Sequence, residues 1–184
     1  MESNLPHEDT VWTRLAGPVG MLTAMATTTG LLRLSLVPPL ATTVQGAAVS
    51  GREVQPSEHP WLALLDQELA QYLGGTLRTF SVPLDWSLVS GARLSVLRTL
   101  AASVAYGQTT SYGELAAATG RPGAARFVGN AMAANPLPIL VPCHRVLTAD
   151  GSLGGYNLGQ QAKHRLLELE GTLPRKRGST GGWS

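Results

Sequence analysis

The chain has a single cysteine, Cys143, among its 184 residues. One thiol cannot close an internal disulfide, so a cross-linked secreted scaffold is excluded, and Cys143 is either a buried apolar filler or a reactive group. Charge is also sparse. Charged residues make up 14% and hydrophobic residues 43%, a balance that fits a globular chain and not a disordered one. Aromatic residues are only 5%. No apolar run approaches the roughly 20 residues needed to cross a bilayer. The start, Met1-Glu2-Ser3-Asn4-Leu5, carries acid where an export signal would carry base, so no export signal is expected. An unpaired thiol then suits a reducing cytoplasm. No internal repeat is visible. The length accommodates one domain or two small ones.

What charge there is divides unevenly. Residues 1–85 hold four Lys/Arg and eight Asp/Glu, while residues 86–184 hold ten and four. A basic second half beside an acidic first half points weakly to a polyanionic partner. Part of that excess is the run Arg175-Lys176-Arg177, which reads as a solvated, disordered tail over 172–184. Residues 1–10 lack periodicity and read as a loose end.

Between these ends the pattern predicts two regions. In 11–85, the turn signal Gly17-Pro18-Val19-Gly20 precedes a strand over 21–27, and Leu31 to Leu36 alternates as its partner. The stretch 37–60 is rich in Pro, Gly, Thr and Ser and yields no assignment. Leu62, Leu65, Leu69 and Leu73 fall at helical spacing before Gly74-Gly75, and 80–85 is a short extended piece. Region 86–171 reads mainly as helix. Leu94, Leu97, Leu100 and Val104 make one stripe. Ser111 with Glu114 three residues on matches a capping box for a helix over 112–119. After Arg121-Pro122-Gly123 comes a second short helix, 124–134, giving a helix-turn-helix pattern. A last helix runs from Gln161 to Gly171. The fold class expected is α/β (α+β).

Cys143 sits in Ile139-Leu140-Val141-Pro142-Cys143-His144-Arg145-Val146. A cysteine before a histidine is most often a buried core thiol; an adjacent imidazole is also a common means of generating the nucleophilic thiolate. The neighbouring motifs decide between these. Pro142-Cys143-His144-Arg145-Val146 resembles the active-site signature of the O6-alkylguanine-DNA alkyltransferases. Residues 106–116 (YGQTTSYGELA) resemble the segment before that family's recognition helix, and 124–131 (AARFVGNA) the helix itself. Asn135-Pro136, Gly154-Gly155-Tyr156, Lys163 and Leu166 to Gly171 follow in family order. Weaker similarity extends the match to roughly residues 12–171.

The resemblance implies a small N-terminal antiparallel-sheet-plus-helix domain of ribonuclease H type and a C-terminal DNA-binding domain. It also implies stoichiometric repair. Cys143 takes the alkyl group from O6-alkylguanine, and by extension O4-methylthymine, in duplex DNA, after the base is swung from the stack, and the protein is spent. His144 would take the thiol proton through a water, and Glu170 would orient the imidazole. Tyr112 would donate to the departing guanine, and Asn135 would brace the cysteine turn. Met132, Pro138 and Tyr156 would wall the pocket. The carbonyls of Cys143 and Val146 would read the guanine amino group, and Asn157 would supply a main-chain donor to O6.

Arg126 would fill the vacated stack from a helix lying in the minor groove, with Ser111, Ala125, Phe127 and Gly129 at the DNA surface. No cofactor and no structural zinc are implied, and the protein would act as a monomer in the cytoplasm, at the nucleoid in a prokaryote. Two positions depart from the family. Phe127 replaces a usual alanine, as core filler, wedge or obstruction, and Leu158 replaces a usual pocket glycine. His7, His59 and His164 read as surface residues without partners. The competing functions are a lesion sensor, which Cys143 argues against, a helix-turn-helix regulator, and a cysteine hydrolase built on Cys143, His144 and Glu170.

Overall fold

The computed structural model describes residues 10–36, 43–44, 47–48 and 51–173. The readings for the rest of the N-terminal end, for His7 and for the tail beyond 173 lie outside the described residues. Contacts divide the chain into two compact units, to Gly91 and from Ala92. The elements are mixed strand and helix, as the α+β reading expects.

The first unit carries β1 (Val11–Gly17), β2 (Gly20–Ala26), β3 (Leu31–Ser35), the two-residue strands β4 (Thr43–Val44) and β5 (Ala47–Ala48), β6 (Arg52–Glu53) and α1 (Pro60–Leu73). The main sheet runs in the order β3-β2-β1-β6. β1 is a strand that the residue pattern did not supply, and it pairs with β2 along its whole length, from Val11 opposite Ala26 to Gly17 opposite Gly20. The sheet is also mixed and not purely antiparallel, because β6 runs parallel to β1. The helical spacing seen in the sequence holds for α1. Leu62, Leu65, Leu69 and Leu73 are buried, joined by Tyr72 and Glu68, and the helix packs on β1 and β2. Each fully buried leucine contributes on the order of 2 kcal/mol. The extended piece 80–85 lies along β3, with Leu31 N donating to Pro83 O at 2.8 Å and Asp85 N to Leu31 O at 2.8 Å.

The second unit contains most of α2 (Gly91–Ser103), then β7 (Thr110–Ser111), α3 (Tyr112–Ala118), α4 (Ala125–Ala133), β8 (Val146–Leu147) and α5 (Gln160–Leu169). α2 buries Val96, Leu97 and Leu100, so Val96 replaces the expected Leu94 in the buried stripe. α3 starts as a capping box. Ser111 Oγ accepts from Glu114 N at 3.2 Å, and the Glu114 carboxylate accepts from Ser111 N at 2.7 Å. α3 and α4 pack together across a turn in which Gly120 and Gly123 take φ values of +72° and +84°, a region that glycine enters without steric cost. β7 pairs in parallel with β8, Thr110 opposite Val146 and Ser111 opposite Leu147. That short ladder sets the start of α3 beside the residues that follow Cys143. No described helix is long and apolar enough to cross a membrane.

Candidate active site

Cys143 opens a single turn of 3-10 helix, Cys143–Arg145. The approach to it is tightly wound. Ile139 is buried and holds φ at +76°, a conformation that costs a β-branched residue on the order of 1–3 kcal/mol. Val141 N donates to Leu137 O at 2.9 Å, and Cys143 N to Val141 O at 2.8 Å. Asn135 holds this loop from inside. Its Nδ2 donates to Val141 O at 2.9 Å and to Cys143 Sγ at 3.1 Å, while its Oδ1 accepts from Leu137 N at 3.0 Å. Asn157 in turn donates through Nδ2 to the Asn135 carbonyl at 2.9 Å. One buried amide therefore fixes both the turn and the sulfur.

The next two residues point to the end of α5. His144 is fully buried, with Nε2 at 2.9 Å from Glu170 Oε1. Arg145 grips the same carboxylate with one edge of its guanidinium, Nε to Oε2 at 2.9 Å and Nη2 to Oε1 at 2.8 Å. Its Nη1 donates to Val104 O at 2.7 Å, just past α2. Gly107 N adds a longer bond to Glu170 Oε2 at 3.4 Å. Burial acts to raise the Glu170 carboxyl, but the hydrogen bonds and charges of His144 and Arg145 outweigh it and hold it down at about 2. An ionised carboxylate only accepts, so His144 Nε2 carries the proton and Nδ1 the basic lone pair. Burial lowers the His144 pKa despite Glu170, with Arg145 and Lys163 adding to the lowering.

Burial also pushes the Cys143 thiol up to about 11, although the Asn135 hydrogen bond and the charge of Lys163 act to lower it. Lys163 is fully buried on α5, donating through Nζ to Val146 O at 2.7 Å and to Gly155 O at 3.4 Å. Its own pKa falls to about 8 through burial, opposed by Cys143. The resting thiol is thus neutral near pH 7, beside a neutral imidazole whose partner carboxylate is charged.

Cys143 faces a cavity of about 360 Å³, lined by Tyr112, Gly129, Met132, Ala133, Gly155, Tyr156 and Asn157, a volume in the range of small-molecule sites, about 300–1,000 Å³. Tyr112 enters from the first turn of α3, and its pKa is raised by burial and by Cys143. Gly154 makes room for it. With φ at +63°, a Cβ there would lie 3.1 Å from Tyr112 Oη. Tyr156 stacks edge-on to His144, ring centroids 6.0 Å apart.

The structure thus brings together Cys143, His144, Glu170, Asn135, Tyr112, Met132, Tyr156 and Asn157. Pro138, Val146 and Leu158 do not line this cavity. The Leu158 side chain is buried, at 3% exposure, and the Val146 carbonyl already accepts from Lys163. Ser111 is engaged as the α3 cap, and Ala125, Arg126 and Phe127 lie on the first turn of α4. Phe127 is 38% exposed, so it is not core filler. His164 is not partnerless, since Nδ1 meets Glu168 Oε2 at 3.2 Å one helical turn on. Sequence reasoning assigned no role to Arg145 or Lys163. The available signal was a lysine on the apolar face of α5, between Ala162 and Leu166. Among the described residues no group of three His, Cys, Asp or Glu is placed to hold a metal ion.

Comparison with known proteins yields consistent matches. The DNA-binding domain of 6-O-methylguanine DNA methyltransferase, as a family model, matches residues 92–172. The methylated-DNA–protein-cysteine methyltransferase of Mycolicibacterium paratuberculosis is 39% identical over 149 residues, covering 77% of this chain and 86% of that protein. The mouse protein of the same name is 49% identical over 94 residues, 48% of this chain and 44% of that one. Among solved structures, Mycobacterium tuberculosis OGT in complex with DNA superposes with a TM-score of 0.69 at 34% identity, covering 88% of this chain and 93% of that one.

Proposed function

The chain belongs to the O6-methylguanine DNA methyltransferase family, and on that premise we propose that Cys143 is the alkyl acceptor of a repair reaction that each molecule performs once. The protein is a methylated-DNA–protein-cysteine methyltransferase, and DNA is its partner. The observation that carries the residue assignment is the buried Cys143 sulfur, held by Asn135 at 3.1 Å on the wall of a cavity of about 360 Å³.

The chemistry follows from the charge states. A thiol with a pKa of about 11 is a poor nucleophile at neutral pH, so its proton must leave as the sulfur attacks. His144 Nδ1 receives that proton by way of a water. Glu170, ionised and hydrogen-bonded to Nε2, stabilises the imidazolium. The sulfur forms a bond to the alkyl carbon while the carbon–O6 bond breaks, and the electron pair passes to the guanine. Tyr112 donates a hydrogen bond or proton to that leaving group, where charge develops in the transition state. Restored guanine departs and a thioether remains, so the protein is inactivated. The Lys163 cation lowers the cost of the thiolate, and its bond to Val146 O ties α5 to the cysteine turn.

A base inside a duplex cannot reach a buried sulfur, so the damaged nucleotide is extruded into the cavity. Arg126, exposed on α4, occupies the gap from the minor groove, where the small residues Ala125 and Gly129 permit close approach. The first unit is a ribonuclease H-type sheet-and-helix domain, and the second carries the whole reaction, with the protein acting as a monomer.

Intact-mass measurement after incubation with duplex DNA containing O6-methylguanine tests this reading. One methyl group per chain, mapped to Cys143 and stopping at one equivalent, is the expected result. Multiple turnover, which a cysteine hydrolase would give, or an unmodified cysteine overturns it.

A further inference from the structure

α4 has an exposed side on which the proposed reaction gives a role to Arg126 and none to Phe127. Val128, Ala131 and Met132 face inward, and Gly129, Met132 and Ala133 border the cavity. Arg126, Phe127, Asn130 and Ala134 are exposed. Phe127 is one of two phenylalanines in the chain, and with Met21 and Leu36 it is among the exposed large hydrophobic residues described. It is not bare, because the Arg121 guanidinium, from the turn before α4, lies over the ring with Cζ 5.9 Å from the centroid. Such a stack on an exposed surface is a weak but directional attraction that holds the cation and the ring as one unit.

The surroundings indicate what would cover it. Residues 119–134 contain Arg121 and Arg126 and no Asp or Glu. An apolar ring with the Arg121 guanidinium over it and a second exposed arginine next in the chain, on the helix that borders the cavity, is complementary to a surface of phosphates and flat apolar faces.

We propose that Phe127 and Arg121 form a contact platform for duplex DNA, the ring seated against a deoxyribose or base step next to the extruded nucleotide and the Arg121 guanidinium against a backbone phosphate. The proposal rests on the reading of α4 as the DNA-facing helix. It gives Phe127 an attractive role in duplex binding, not an obstructive one, and assigns a role to Arg121. Stacking the guanidinium on the ring keeps it extended toward the backbone, and the ring adds apolar contact that depends little on sequence.

The test measures binding of an O6-methylguanine duplex by fluorescence anisotropy over a salt series. It also compares two transfer rates, one from the duplex and one from free O6-methylguanine base, as a ratio. Phe127→Ala is expected to weaken duplex binding about tenfold and to lower the duplex-to-free-base ratio by a similar factor. Phe127→Trp restores both to within about twofold, because it renews the flat apolar face. Arg121→Ala is expected to weaken binding about threefold and to reduce the log–log salt slope by about one. Duplex binding by Phe127→Ala that equals or exceeds the parent, or a loss that Phe127→Trp does not repair, overturns the platform. So does a change confined to self-association in sedimentation, which would assign the ring to a second copy of the chain. Failure of the parent protein to take a methyl group from either substrate would instead overturn the alkyl-acceptor reading, so the two failures are distinguishable.

Discussion

Both units bury carboxylates, and Glu68 in the first and Glu170 in the second are held differently. In the first, Glu68 of α1 accepts from Ser81 N at 2.9 and 3.0 Å, from Ser81 Oγ, and from Val82 N at 3.2 Å. Its donors are neutral backbone and hydroxyl groups, none of which titrates near neutral pH, so the cluster joins a helix to an extended segment. In the second, Glu170 accepts from an imidazole and a guanidinium. One of those donors can gain a proton and the other cannot lose one. Both arrangements satisfy the rule that buried charge must be hydrogen-bonded. In the proposed reaction only the second is arranged to respond when a proton leaves Cys143. Burial alone therefore does not distinguish the two carboxylates; the chemistry of their donors does.

The sharpest way to break that contrast is at the sulfur. Cys143→Ala is expected to abolish methyl transfer altogether while retaining duplex binding, as read by intact mass and anisotropy; any residual adduct would place the acceptor elsewhere. The two carboxylates come next. Glu170→Gln should slow transfer roughly 100-fold, because a neutral amide neither fixes the His144 tautomer nor stabilises the imidazolium. Glu68→Gln should leave the rate within about twofold and instead lower stability by roughly 1–3 kcal/mol, visible as a lower urea midpoint. If Glu68→Gln slowed the chemistry as much as Glu170→Gln, the distinction between the two clusters would be lost.

A third effect is smaller and depends on pH. Because the Glu170 pKa is depressed to about 2 in the folded protein from the ordinary 4.5, its stabilising contribution is complete above about 4.5 and is lost as pH falls toward 2. The denaturation midpoint of the parent should fall across that window, and the Glu170→Gln variant should show a shallower fall. The smallest effect belongs to the helix that carries Tyr112. Ser111→Ala removes the cap on Glu114 N and should cost about 1 kcal/mol, with a drop in melting temperature of a few degrees and transfer slowed less than the Glu170 variant.

Much of the site was legible because its signals are local. The capping box at Ser111 and Glu114, the turn glycines between α3 and α4, and the cysteine–histidine pair are readable within a few residues. β1 was missed because Val11 to Gly17 has no clean alternation, and it becomes a strand only through pairing with β2 on one side and β6 on the other. The sequence gives Arg145 no visible role, since its partners are Glu170 and the Val104 carbonyl, 41 residues earlier. Leu158 reads as a pocket residue only through the resemblance, where it replaces a usual pocket glycine. Its own side chain turns inward, and no periodicity in a glycine-rich loop announces that.

Residue identity and short-range spacing are enough to point to Cys143 as the proposed nucleophile, to its neighbouring imidazole and to the order of helices around them. The protonation states at that site come from tertiary packing. The charge on Glu170, the tautomer of His144, the neutrality of the Cys143 thiol and the depressed Lys163 ammonium all arise from burial and from partners brought together by long-range packing. A pKa is a property of the surroundings of a group, and those surroundings exist only once α5, the cysteine turn and the end of α2 have closed around one carboxylate.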